Sequence, residues 1–183
     1  MARVPYLDRS DLAPDQQDLL EHPINLFRAL VHSPKGARAW STVGRYIRFG
    51  SKLDPRLREM AILQVGYVTR SAYEYCHHVQ IGHDFGVSDD DIRAIAAETA
   101  GRATNLDSLA KTVLKAAREM TTALAVSDET FAALREKLDT ERLTDLVLSI
   151  AFYNAVVRIL ATMQIDIEDE YQPYLEQFPL PKD

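Results

Sequence analysis

Apolar residues recur at three- and four-residue intervals through most of the chain, and the strict alternation of a half-buried strand is missing. The spacing predicts an all-α protein, a single-domain bundle of about eight to ten helices. Residues 1–12 are polar around Pro5 and read as an N-terminal arm. A short helix is expected after Pro14, another opening at Pro23, and a break at His32-Ser33-Pro34. Lys35 to Phe49 reads as a helix closed by Gly50 to Leu53. Asp54-Pro55 supplies a cap with proline at the first helical position. Helices over 55–69 and 71–85 follow, joined tightly. Gly86 then stops the chain, and Ser88 with Asp91 has the spacing of a capping box for a helix over 89–99. Beyond the loop at 101–106, helices are expected from Asp107 to Leu124, from Ser127-Asp128 to Leu138, from Thr140 to Met163, and briefly near Pro173. No linker divides the 183 residues, so 1–183 is read as one domain.

Charge narrows the partners. Lys and Arg total 21 against 27 Asp and Glu, a net −6 with no basic run, which excludes a phosphate backbone as partner. The one cysteine, Cys76, rules out an intramolecular disulfide and a cysteine-rich zinc site. The opening MARVPYLDRSDL places charges where a secretory leader needs an apolar core, so a cytoplasmic protein is expected. Leu143 to Ile165 is the longest apolar stretch. Thr144, Asp145, Asn154 and Arg158 interrupt it, so it reads as a buried helix and no membrane partner is expected.

The segment SAYEYCHHVQIGHDFG carries the chemistry. On a helix each residue turns by about 100°, so with Glu74 at zero, His78 falls at roughly 40°, Ile81 near 340° and Phe85 near 20°. A carboxylate and an imidazole thus share an apolar stripe, where they need each other or a polar cavity. In the preceding helix Glu59 stands beside Ile62, Leu63 and Gly66, and an antiparallel pairing would bring it toward His78. A lone buried Glu or His is commonly structural; three that converge mark a candidate site. Glu59, Glu74 and His78 are therefore the candidate catalytic residues. Cys76 falls roughly 160° from His78, too far round to form a nucleophile–base pair. Tyr73, His77, His83 and Asp84 fall on the opposite or flanking side, read as solvated.

Metal and nucleotide chemistry find no support. Glu74-x-x-His77 is half of a carboxylate-bridged di-iron pattern, but no other histidine has a glutamate three residues before it. Glycine-rich phosphate loops, G-x-S-x-G and H-E-x-x-H are all missing, so no metal and no cofactor is expected.

The stretch LDPRLREMAILQVGYVTRSAYEYCHHVQIGHDFGVSDDDI resembles the carboxymuconolactone decarboxylase family, which includes the alkylhydroperoxidase D-like proteins. The likeness rests on Arg58-Glu59, on Tyr73-Glu74-Tyr75 with His78, and on the Gly86-Val87-Ser88 turn leading to Ile92. Its core lies at about 53–100, and PINLFRALVHSPKGARAW and FYNAVVRIL look like the family's flanking helices. The resemblance implies a helical subunit of the alkylhydroperoxidase D-like type that assembles into homo-oligomers. It also implies acid–base roles for Glu59, Glu74 and His78. Peroxidase-type members carry two cysteines four and seven residues before the histidine, and this chain has Glu74 and Ser71 there. A carboxy-lyase or isomerase using a small carboxylate or lactone, without a cofactor, is thus expected ahead of a thiol peroxidase. A non-catalytic helical oligomer is the third reading. An anionic substrate needs cations; Arg58 and Arg158 are candidates, each read foremost as a surface charge.

Overall fold

The computed structural model describes residues 2–181. Among them nine α-helices run in order: α1 Asn25–Leu30, α2 Pro34–Arg45, α3 Pro55–Val68, α4 Ala72–Asp84, α5 Asp89–Thr99, α6 Ser108–Thr122, α7 Asp128–Arg135, α8 Thr140–Met163 and α9 Gln172–Gln177. Short 3-10 turns occupy Arg9–Asp11, Pro14–Leu20 and Asp169–Tyr171, and no strand occurs among the described residues. The caps act as their residue types require. Asp54, Ser88, Asp107 and Ser127 each accept a backbone N–H of the first turn, and Ser88 with Asp91 closes a capping box. α8 begins at the expected Thr140 with Asp139 as its cap, and α7 ends at Arg135, ahead of the expected Leu138.

α3 is the central helix. Every side chain from Leu57 to Tyr67 is buried, because α4, α5, α6 and α8 all pack around it. α3 and α4 form a hairpin closed at Arg70, whose φ of 54° reverses the chain in the left-handed region. Gly66 lets the two backbones approach: a Cβ there would lie 3.2 Å from the Tyr75 nitrogen. This approach brings the first turns of α3 level with the middle of α4.

Two segments depart from the sequence reading, at 46–50 and in the N-terminal arm, and α8 is packed as that reading had it. The helix expected over 35–49 gives way at Tyr46–Gly50 to a π turn, in which Ser51 N–H bonds the Tyr46 carbonyl at 2.9 Å. Asp145 of α8 holds that turn, accepting from Tyr46 Oη at 2.7 Å, Ser51 Oγ at 2.8 Å and Lys52 N at 2.9 Å. The N-terminal arm is laid along the body: Arg3 N–H bonds Met163 O, Tyr6 Oη donates to Asp166, and Leu12 is buried. α8 is by length and composition apolar enough to cross a membrane, and here it packs against α3, α4, α6 and α7.

Candidate functional site

The hairpin and the π turn bring four charges into one buried line. Arg58, Glu59, Glu74 and His78 are between 1% and 4% exposed. Glu59 Oε1 accepts from Arg58 Nε at 2.9 Å, and Glu59 Oε2 accepts from His78 Nδ1–H at 2.7 Å. On the far side of the ring, Glu74 Oε1 lies 3.0 Å from His78 Nε2. That contact is close enough for charge attraction but poorly aligned, and Glu74 Oε1 has no hydrogen-bond partner among the described residues. Signs alternate along the line, which is what makes such burial tolerable.

Electrostatics fix the protonation. Burial pulls the His78 imidazole down, but Glu74 and Glu59 overcome it and hold it up at about 9. Burial likewise raises Glu59, and the adjacent His78 and Arg58 outweigh it, so this carboxyl stays below its usual range. At neutral pH, His78 is therefore an imidazolium between two glutamates. Its ring meets Tyr153 edge-on at 4.8 Å.

The line ends at a pocket of about 240 Å³, with Glu74 and His78 in its wall. Trp40 and Phe152, with ring centroids 4.5 Å apart, form one apolar side with Phe27 and Phe49, and Ile81 adds the stripe residue expected from the helix wheel. Phe85 does not line the pocket; it stacks on Arg58, whose guanidinium carbon is 4.6 Å from the ring centre. Arg58 is thus a buried structural cation and not a surface charge, because Glu59, the Arg48 carbonyl and Phe85 enclose it. Arg158 is exposed and bonds Asn154 on its own helix, away from the pocket.

Tyr73 and His77 correct the wheel. Both are buried rather than solvated, because the segment after α8 folds over the face of α4 that carries them. His77 is stacked between Tyr73 at 4.2 Å and Tyr171 at 3.6 Å, and its Nε2 is 2.8 Å from Glu168 Oε2. Glu168 also accepts from Tyr73 Oη at 3.1 Å and Asn25 N at 2.6 Å. Burial raises Glu168, yet His77 and the Asn25 N–H hold it below the usual carboxylate range. His83 and Asp84 are exposed as expected. Cys76 is fully buried, its Sγ 3.3 Å from the Tyr73 carbonyl, and burial pushes the thiol up to about 12.

Arg45, Arg48 and Tyr153 line the pocket and were not singled out from sequence. Trp40, Gly44, Arg45 and Arg48 fall at i, i+4, i+5 and i+8, the one signal that could have placed the two arginines on the pocket face. Among the described residues no group of three or more His, Cys, Asp and Glu is arranged to hold a metal ion.

Residues 34–119 match the family model of the carboxymuconolactone decarboxylase family. Three solved structures share the fold across nearly the whole chain. An alkylhydroperoxidase AhpD core, a peroxidase-related protein from Ralstonia eutropha JMP134, is 21% identical with a TM-score of 0.81, covering 99% of this chain and 98% of its own. The debrominase Bmp8 with 2,3,4-tribromopyrrole is 18% identical at a TM-score of 0.82, over 97% and 100%. A peroxidase-related protein from Silicibacter sp. TM1040 is 18% identical at 0.72, over 93% and 95%. The comparison with curated proteins found no match.

Proposed function

Through residues 34–119 the chain belongs to the carboxymuconolactone decarboxylase family, and from that premise we propose that it is a cofactor-independent lyase or isomerase acting on a small carboxylate or lactone. The observation that carries this reading is the buried Glu59–His78–Glu74 line ending at the pocket. In the decarboxylation it would perform, the bond to the carboxylate carbon breaks, carbon dioxide leaves, and the electron pair stays on the substrate as an enolate. His78 Nε2–H then donates the proton that this carbon needs. Glu59 keeps the other ring nitrogen protonated and fixes the ring, and Glu74, on the pocket wall, returns a proton from solvent. General acid catalysis of this kind is worth about 10² to 10⁴ in rate.

A peroxidase-like oxidoreductase is the second reading, favoured by two neighbours described as peroxidase-related. Thiol chemistry is opposed by Ser71 and Glu74 at the positions of the paired cysteines and by the burial of Cys76. Assembly into a homo-oligomer belongs to the same proposal. It is supported by Phe49 at 72% exposure, with Tyr46 and Leu148 also exposed. Sedimentation at a mass near 20.7 kDa would count against it.

The lyase reading is tested by incubating the protein with small carboxylated lactones in D₂O. Released carbon dioxide with one deuterium at the carbon that lost it supports the reading. Peroxide consumption dependent on Cys76, without carbon dioxide release, would replace it with the second.

A further inference from the structure

The pocket has a second charged wall, opposite in character to its acid–base end. Arg48 reaches it from the π turn, half-buried, and Arg45 from the end of α2. Among the described residues no carboxylate lies within ion-pairing distance of either guanidinium. The buried line beside them is already balanced, Arg58 against Glu59 and His78 against Glu74. The uncompensated charge at the pocket is therefore positive, in a chain whose net charge is −6.

The backbone that presents Arg48 is held from both sides. Its carbonyl accepts from Arg58 Nη1 at 3.1 Å, which ties the π turn to the catalytic line, and Asp145 anchors the turn to α8. The side chain lines the pocket within hydrogen-bonding reach of Tyr153, whose ring lies edge-on to His78. Arg48 and the imidazole thus both neighbour Tyr153, and Trp40 and Phe152 give the same pocket an aromatic surface.

We infer that Arg48, assisted by Arg45, is an anion-binding subsite, and that the pocket takes a small flat carboxylate whose charged end sits there while its far end faces His78 and Glu74. This rests on the acid–base reading for the role of that far end, but not for the binding. A planar guanidinium fork matches a carboxylate in two parallel hydrogen bonds, so Arg48 selects an anion over a neutral isostere of the same shape.

The probes are 4-hydroxybenzoate and its neutral isostere 4-hydroxybenzamide, which share one shape and differ in charge. Calorimetric titration of the full chain is expected to show the carboxylate binding at least about tenfold more tightly than the amide. Arg48→Gln abolishes that preference, Arg48→Lys keeps part of it, and Arg158→Gln leaves it intact. The main-chain bond from Arg58 survives each Arg48 substitution, so these variants keep the turn. Equal binding of the two probes, a preference that survives Arg48→Gln, or no binding of either at millimolar concentration overturns the subsite. The two proposals fail separately. Turnover that persists in His78→Ala defeats the acid–base reading and leaves the anion preference standing, whereas loss of the preference alone defeats only the subsite.

Discussion

His78 Nδ1 lies 2.7 Å from Glu59 Oε2, across the α3–α4 hairpin and 19 residues away in sequence. The contact fixes which ring nitrogen faces the pocket, because a carboxylate can only accept and Nδ1 must carry the hydrogen. Nε2 is then the nitrogen turned toward Glu74 and the pocket.

This relationship has a pH signature. With the His78 pKa raised from about 6.5 to about 9, the folded protein holds a proton that the unfolded chain has lost across that interval. The stabilisation is full below pH 6.5 and is lost as pH rises through 9. NMR titration of the imidazole should give a midpoint near 9, and the melting temperature should fall over the same range. In Glu59→Gln the midpoint should move down.

Gly66→Ala should act on the site from a distance. The added methyl would meet Tyr75 N at 3.2 Å and its Cα at 3.3 Å, both backbone, so the hairpin must open. Overpacking of this kind costs about 1 to 3 kcal/mol. Chemical denaturation should show that loss, and the His78 midpoint should shift down as Glu59 is drawn away.

Asp145→Ala should release the π turn. Three donors, Tyr46 Oη, Ser51 Oγ and Lys52 N, lose their shared acceptor, at an expected cost of about 1 to 3 kcal/mol. Burial raises the Asp145 pKa, but those hydrogen bonds bring it below the usual value. Its contribution is therefore present above about pH 4 and is lost as pH falls further. Denaturation midpoints measured at pH 3 and pH 7 should differ more in the wild type than in Asp145→Ala.

Most of this architecture was legible in the sequence, for reasons that can be traced. Asp54-Pro55, Gly86 and the Ser88/Asp91 pair set helix ends by local chemistry, and each cap is present as expected. Glu59 and His78 were brought together by helix period and a tight turn, both of which are local properties. Tyr73 and His77 were not legible, because a helical wheel assumes one covered face, whereas α4 is covered by α3 and again by the segment around Glu168 and Tyr171. Arg58 was misplaced for a similar reason, since its burial depends on Phe85, 27 positions along the chain. The π turn at Tyr46–Gly50 shifts the register of the residues after it, and the three- and four-residue spacing there is that of an ordinary helix end.

Cys76→Ser should leave any activity within a few-fold of the wild type. The thiol is buried, its pKa is pushed up to about 12, and no second cysteine is present to resolve an oxidised sulfur. Native protein should also resist thiol-labelling reagents until it unfolds. Rapid labelling, or a peroxidase activity that disappears with Cys76, would contradict this.

The central claim is that Glu59, Glu74 and His78 serve chemistry, and not merely the packing of α3 on α4. It is tested most directly by measuring carbon dioxide release and melting temperature on the same preparations of His78→Ala and Glu59→Gln. Turnover should fall by about 10² or more in each variant while the fold stays cooperative, with the melting temperature lowered only by the lost ion-pair partner. Variants that keep turnover but melt far below the wild type would contradict the claim and make the line a buried structural network.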